Sequence, residues 1–94
     1  MRNAMIINEK DNVIVAIEPI TAGSEAVYML NGEYHKIPVR ENIPMYHKLA
    51  RVDIPKGAQI IKYGEYIGEA GCDIVEGSHV HTHNVLSVRE RVTD

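Results

Sequence analysis

The segment AVYMLNGEYHKI, residues 26–37, places Asn31-Gly32 between two runs of apolar and aromatic residues. Asn and Gly adopt positive φ more readily than other residues, and both central positions of a type I′ turn require positive φ. That turn matches the twist of two antiparallel strands, so the segment predicts a β-hairpin. We therefore expect a fold built from short strands joined by tight turns.

A weak internal repeat extends this pattern along the chain. Three segments, ITAGSEAV at 20–27, IPKGAQI at 54–60 and IVEGSHV at 74–80, each place an Ile three residues before a Gly and an apolar residue three or four after it. Each segment predicts the end of a strand, a four-residue turn closed by Gly, and the start of a new strand.

Other parts of the chain also favour strands. Residues 13–17 are apolar at every position, as in a strand buried on both faces. Residues 46–52 lie between two prolines and favour a strand over a short helix. Gly64 and Gly68 predict a bulge or a tight corner.

The composition agrees with this assignment. The 94 residues are 45% hydrophobic, with five Tyr and neither Phe nor Trp, and Ile and Val supply most of the apolar side chains. Such β-branched residues fit pleated sheets better than helices. We predict a mostly β fold that forms one domain over residues 1–94, with the motifs in residues 11–85 and a tail over residues 86–94.

Charge and cysteine content restrict the partners and the compartment. A formal net charge of −3, without a stripe of Lys and Arg, argues against binding to nucleic acid. No run approaches the ~20 apolar residues that a membrane span needs, and the first residues become polar too soon for a signal peptide. A single cysteine excludes an intrachain disulfide. We expect a cytoplasmic protein with no nucleic-acid or membrane partner.

The segment HVHTHN, residues 79–84, holds three of the five histidines in strict alternation. If it is a strand, all three imidazoles share one face, a pattern typical of a metal or acid–base site. Neighbouring members then have Cα atoms about 6.7 Å apart, so two rings can reach one ion. His79 and His83 meet only if the strand bends sharply, so at most two of the row are expected on the same ion. The alternative is three half-exposed histidines on a solvated strand face.

Four motifs occur in one order along the chain: His47-Lys48, Asp53-Ile-Pro-Lys-Gly57, Lys62-Tyr-Gly-Glu-Tyr-Ile-Gly68 and Gly77-Ser-His-Val-His-Thr-His-Asn84. Together they resemble the SAF-type N-terminal domain of the altronate and galactarate dehydratase family, and this resemblance implies a small β-clip fold. Two positions depart from the usual pattern, since Tyr46 stands where Gly is common and Ser78 stands where Glu is common.

The resemblance also implies a function. In this family the domain is either fused to a large catalytic region or, as in sulfolactate sulfo-lyase, forms a separate small subunit, which is the arrangement this chain resembles. The implied reaction is an elimination from a small hydroxy acid, for which a base, an acid and positive charge are needed. A divalent metal, iron(II) or manganese(II), and a large dehydratase-like partner subunit are expected. The substrate would be a sugar acid such as altronate or galactarate, or alternatively sulfolactate.

The candidate metal ligands under this resemblance are His81 and His83, with His79 third. The candidate catalytic residues are His47, as an acid or base, and Lys48.

Substrate binding is assigned to Lys48, as a point charge for a carboxylate, and to Arg51 and Asn84. The alternative for both cations is a solvated surface position. A different class of function also remains open, a non-catalytic ligand-binding or assembly module, because fold alone does not decide function.

Overall fold

The computed structural model describes residues 2–87, and every regular element in that range is a β-strand. The predicted mostly β fold is therefore confirmed, and the architecture is that of a small β-clip domain. The nine strands are Ala4–Met5 (β1), Val13–Ala16 (β2), Glu25–Leu30 (β3), Glu33–Pro38 (β4), Lys48–Ala50 (β5), Gln59–Lys62 (β6), Glu65–Ala70 (β7), His79–Val80 (β8) and Val85–Ser87 (β9).

Two expectations concern the ends and the surroundings of this fold. The predicted tail begins inside β9, and its residues 88–94 lie outside the described part of the chain. Across residues 2–87 there is no helix with the length and apolar character needed to cross a membrane.

The strands form three antiparallel sheets. One has the order β1-β2-β5-β8, one is the hairpin β3-β4, and one has the order β6-β7-β9. The hairpin turns at Asn31 and Gly32, which have φ of 52° and 80°, and the two strands pair from Leu30–Glu33 to Glu25–Pro38. The hairpin prediction is confirmed, because both turn residues adopt the positive φ that a type I′ turn requires.

The four-stranded sheet lies between two hydrophobic clusters. Successive residues of a strand face opposite sides, so Val13 joins one cluster and Ile14 the other, and Ala50 and Leu49 divide in the same way. These four side chains are at most 1% exposed. Strands β2 and β5 are thus buried on both faces, which fixes their register and holds the start of β5 rigidly.

The second and third copies of the repeat form a reciprocal pair of turns. Ile54 and Ile74 join in an isolated antiparallel bridge. Asp53 Oδ1 accepts the backbone N–H of Glu76, and Asp73 Oδ1 accepts that of Lys56, both at 2.8 Å. The turn prediction is confirmed, since the closing residues Gly23, Gly57 and Gly77 all have φ near +90°.

One predicted strand is shorter than expected. The strand expected over residues 79–83 ends at Val80, and residues 81–84 form a turn closed by a hydrogen bond from the Asn84 N–H to the His81 carbonyl. The prediction was wrong beyond Val80 because the Asn84 side chain also accepts the His81 N–H at 2.9 Å. An Asn that bonds its local backbone in this way favours a turn over an extended strand.

Candidate functional site

The pairing of β5 with β8 brings a fourth histidine to the histidine row. Leu49 pairs with His79 and Lys48 with Val80, so the next step in this antiparallel register sets His47 opposite His81. His47 is held there by β2, because the Ala16 N–H donates to the His47 carbonyl at 2.9 Å. Two histidines more than 30 residues apart in sequence therefore meet at one end of the sheet.

Three imidazoles form a compact cluster, which we call the histidine trio: His47, His79 and His81. Each can offer a ring nitrogen, and these nitrogens all lie within 4.8 Å of one another. Nδ1 of His47 and Nε2 of His79 are 2.8 Å apart, a hydrogen-bond distance. The rings of His47 and His81 are stacked with centroids 4.3 Å apart.

His83 lies beside the histidine trio. The turn at residues 81–84 folds the row back on itself, so the centroids of the His83 and His79 rings are 5.3 Å apart. In a straight strand the two residues would be farther apart. Its nitrogens do not belong to the group that lies within 4.8 Å. Two members of the row therefore share the cluster with His47, and a ligand role for His83 stays a prediction.

Asn84 builds the turn that positions the trio. Its side chain is nearly buried, its Oδ1 accepts the His81 N–H, and its Nδ2 donates to the His79 carbonyl at 2.8 Å. Because both ends of the amide bind the backbone of the histidine segment, Asn84 acts here as a positioning residue. That it also contacts substrate stays a prediction.

Glu41 is a neighbour of the trio that the sequence did not indicate. Its Oε2 accepts the backbone N–H of His79 at 3.0 Å. Glu41 lies in an irregular connection between β4 and β5, far from His79 in sequence, so no local spacing could have identified it. Its carboxylate fixes the edge strand β8 and places one negative charge near the His79 ring.

Burial and neighbouring charges lower the pKa of two members of the trio. Partial burial, then the neighbouring His47, His83 and His81, lower the pKa of His79, while Glu41 raises it by a smaller amount. Partial burial, His47, Lys48 and His83 lower the pKa of His81. Crowded cations repel one another, so at neutral pH these rings favour the unprotonated form that has a lone pair available for a metal.

Lys48 lines a cleft next to the trio. This cleft, which we call the Lys48 cleft, has a volume of about 270 Å³ and is lined by Lys48, Ile67, His81, Thr82, Val85 and Ser87. Burial and the nearby Lys62 cation lower the pKa of Lys48. Since His81 belongs to both the cleft and the trio, the two features adjoin at the point where β8 ends.

Arg51 makes hydrogen bonds with backbone carbonyl groups. Its Nε donates to the Asp11 carbonyl at 2.9 Å, and its Nη2 donates to the Glu9 carbonyl at 3.2 Å. These bonds hold the loop before β2 against the end of β5. The predicted contact between Arg51 and a substrate remains a prediction.

The histidine trio has the chemistry of a metal site. Imidazole is a common ligand of divalent transition metals, and three rings with converging nitrogens match the three protein ligands of many catalytic centres. The donor set therefore fits a divalent ion, with further coordination positions left for substrate, water or another subunit.

Comparison with known proteins identifies the family. Residues 2–88 match the altronate/galactarate dehydratase SAF domain. The altronate dehydratase of Escherichia coli (strain K12) is 41% identical over 78 residues, which cover 83% of this chain, and that of Bacillus subtilis (strain 168) is 36% identical over 84 residues, which cover 89%. The chain spans only 15% and 16% of the length of these two enzymes.

A third relative has the size of this chain. The (2R)-sulfolactate sulfo-lyase subunit alpha of Chromohalobacter salexigens is 32% identical over 90 residues, which cover 89% of this chain and 94% of that subunit. The match over residues 2–88 includes the histidine trio, Lys48 and the repeat. The chain therefore belongs to the altronate/galactarate dehydratase SAF domain family.

Proposed function

We propose that this chain is the small subunit of a metal-assisted lyase that acts on a sugar acid such as altronate or galactarate. The observation that carries the proposal is the histidine trio, whose three ring nitrogens lie within 4.8 Å of one another on a rigid sheet. Relatives named as altronate dehydratase support a hydro-lyase reaction. In this proposal the trio contributes to a site that a large subunit completes.

A divalent metal would be held by His47, His79 and His81. Iron(II) suits imidazole ligands better than manganese(II), which prefers oxygen ligands, so the donor set favours iron. When bound, the ion would supply positive charge for the enediolate that develops as a proton leaves the carbon beside the carboxylate.

The remaining residues take the other roles. With His47 among the ligands, the proton transfer earlier assigned to it passes most simply to His83, which is exposed and whose ring is tilted against that of His79 with the centroids 5.3 Å apart. Lys48 would hold a substrate carboxylate in the adjoining cleft. Glu41 and Asn84 would keep the backbone of the histidine segment in place.

A large dehydratase-like partner is part of the proposal. The chain matches only 15% and 16% of the length of the two altronate dehydratases, so most of the length of those enzymes has no counterpart here. Co-expression of the chain with the product of a neighbouring dehydratase-like reading frame tests this. We expect a stable complex that dehydrates altronate or galactarate, and no turnover by the pure folded chain. Enzyme-like turnover by the chain alone would contradict the two-subunit proposal.

A second candidate function is that of a sulfolactate sulfo-lyase small subunit. It is favoured by the nearly complete coverage of the Chromohalobacter salexigens subunit alpha. The two candidates differ in their product, because only the sulfo-lyase reaction releases sulfite. Assays of the reconstituted complex with altronate, galactarate and sulfolactate, in which both sulfite and the keto acid are measured, decide between them.

The alternative hypothesis, that the chain is a non-catalytic ligand-binding or assembly module, makes a different prediction. Such a module needs the fold but not the trio. In the complex, replacement of His79 and His81 together by Ala should abolish turnover and leave assembly intact. Unchanged turnover by the assembled double variant would favour the module.

A further inference from the structure

The backbone of His79 is held by two side chains, one neutral and one charged. Asn84 Nδ2 donates to the His79 carbonyl at 2.8 Å, and Glu41 Oε2 accepts the His79 N–H at 3.0 Å. His79 lies on β8, at the edge of the four-stranded sheet, where water can also satisfy a backbone N–H. The carboxylate at this position therefore brings a charge that the backbone alone does not need.

The connection between β4 and β5 keeps Glu41 close to the histidine segment. The Arg40 N–H donates to the Gly77 carbonyl at 3.0 Å, and the Arg40 Nε donates to the Glu76 carbonyl at 2.9 Å. Ile43, two residues after Glu41, is only 1% exposed. Because the chain is fixed on both sides of Glu41, its exposed carboxylate has a defined place beside the trio.

Glu41 differs in sign from the other charged groups around the trio. Among residues 2–87, it is the one acid that acts on the pKa of His79 or His81, and the other charged groups are histidines and Lys48. Glu41 raises the pKa of His79, whereas Lys48 lowers that of His81, so both charges reach a ring of the trio. A divalent cation at the trio would experience the same attraction and the same repulsion.

We propose that Glu41 is a positioning residue of the metal site, and that its negative charge, opposed by the Lys48 ammonium group, sets the affinity of the histidine trio for a divalent cation. The inference rests on the proposed function, since it needs an ion at the trio. Glu41 acts through His79 and through space, because its carboxylate is not among the donor atoms that lie within 4.8 Å of one another. Asn84 also holds the His79 backbone but contributes no charge.

Calorimetric titration of the full chain with Mn²⁺, and with Zn²⁺ as the ion that imidazoles bind more tightly, measures this charge effect at neutral pH and low salt. Glu41→Gln keeps an oxygen that can accept the His79 N–H and removes the charge. It should lower the affinity for both ions by about tenfold. Lys48→Met removes the opposing charge and should raise the affinity by about threefold.

Ionic strength separates a charge effect from the loss of a hydrogen bond. The Debye length falls to about 3 Å in 1 M salt, so the affinities of both variants should approach that of the wild type there. Glu33→Gln is the matched control, because it changes the net charge equally at an exposed position of β4. It should bind both ions as the wild type does. Circular dichroism and thermal denaturation check that each variant is folded.

Three outcomes would overturn the inference and leave the proposed function standing. The first is wild-type affinity in Glu41→Gln at low salt, and the second is an affinity in Lys48→Met no higher than that of the wild type. The third is a loss in Glu41→Gln that is equally large in about 1 M salt, which would assign its role to the hydrogen bond alone.

The same titrations distinguish this inference from the proposed function. No binding of either ion by the wild-type chain would reject the metal-assisted lyase and the inference together. Binding that depends on Glu41, combined with no turnover by the reconstituted complex, would reject the proposed function alone.

Discussion

The paired repeat turns and the turn at residues 81–84, which we call the histidine turn, use the same local chemistry for different purposes. In the repeat turns, Asp53 and Asp73 each accept a backbone N–H from the opposite turn. In the histidine turn, the Oδ1 of Asn84 accepts the His81 N–H, and its Nδ2 donates to the His79 carbonyl. The difference lies in the neighbouring side chains, because β8 and the histidine turn bring His79 and His81 beside His47 at the end of the sheet.

This difference separates residues that stabilise the fold from residues of the candidate site. The carboxylates of Asp53 and Asp73 accept backbone N–H groups and so hold the two repeat turns together. The rings of the histidine trio stack against one another, and their proximity helps to lower the pKa of His79 and His81. Substitutions in the first region should therefore change folding, and those in the second should change metal binding.

The largest expected effect is at Gly77 in the repeat turns. A Cβ on Gly77 would lie 1.9 Å from the Pro38 carbonyl oxygen, at a φ of +87°. Because both the backbone and the packing must adjust, Gly77→Ala should lower the free energy of unfolding by about 2–5 kcal/mol in urea denaturation. Gly57→Ala is the control, since Gly57 has the same φ and open space, and should cost about 1–2 kcal/mol. Equal losses would show that the close contact is not important.

Asn84 should affect both stability and the site. Asn84→Ala removes two hydrogen bonds from a nearly buried side chain and should lower the free energy of unfolding by about 1–3 kcal/mol. Because the turn positions two of the trio, Mn²⁺ affinity measured by calorimetry should also fall by about 10–100-fold. Asn42→Ala removes a single exposed bond to the Ala22 N–H and should leave metal affinity unchanged. Unchanged affinity in Asn84→Ala would mean that the trio forms without the turn.

Substitution of Tyr46 should have a smaller effect on the free energy of unfolding, and in the opposite direction. Tyr46 has a φ of +69° and is 73% exposed. Gly adopts this conformation without strain, so Tyr46→Gly should raise the free energy of unfolding by up to about 1 kcal/mol. Thermal denaturation of Tyr46→Gly beside Tyr46→Ala measures this, and a gain in Tyr46→Ala as large as in Tyr46→Gly would exclude backbone strain as the cause.

The smallest expected effect is the dependence of stability on pH. The folded chain lowers the pKa of His79 and His81 below the value of 6.5 that these groups have when exposed, so below about pH 6.5 the unfolded chain binds more protons. The contribution of these two groups to the free energy of unfolding should therefore be complete above pH 6.5 and decrease as the pH drops below that value. Both rings are partly exposed, which weakens the effect through solvent screening.

Urea denaturation between pH 5 and 8 measures this dependence. Replacement of both His79 and His81 by Gln should flatten the profile, whereas His35→Gln, outside the trio, should preserve it. A profile in the double variant that matches the wild type would assign the pH dependence to other groups.

The parts of the fold that were predictable from sequence are those with local turn chemistry. Asn31-Gly32 and the Ile-x-x-Gly repeat specify positive φ at fixed positions, and the structure has turns at each of them. The bridge between Ile54 and Ile74 was not predictable, because it depends on long-range packing of two turns.

The candidate site was predictable only in part, for a similar reason. The alternating histidines indicated that a site exists, but the register of β5 against β8 decides that His47 joins them. The end of β8 at Val80 was missed although a signal was present, since an Asn three residues after His81 can accept its backbone N–H.

The central claim is that His47, His79 and His81 together bind one divalent ion. Anomalous X-ray diffraction from crystals of the chain soaked in Mn²⁺ or, without oxygen, in Fe²⁺ tests it most directly. The account predicts a single anomalous peak about 2.0–2.3 Å from one ring nitrogen of each of the three histidines. Absence of a peak at the trio under saturating metal, or a strong peak elsewhere in the chain, would contradict it.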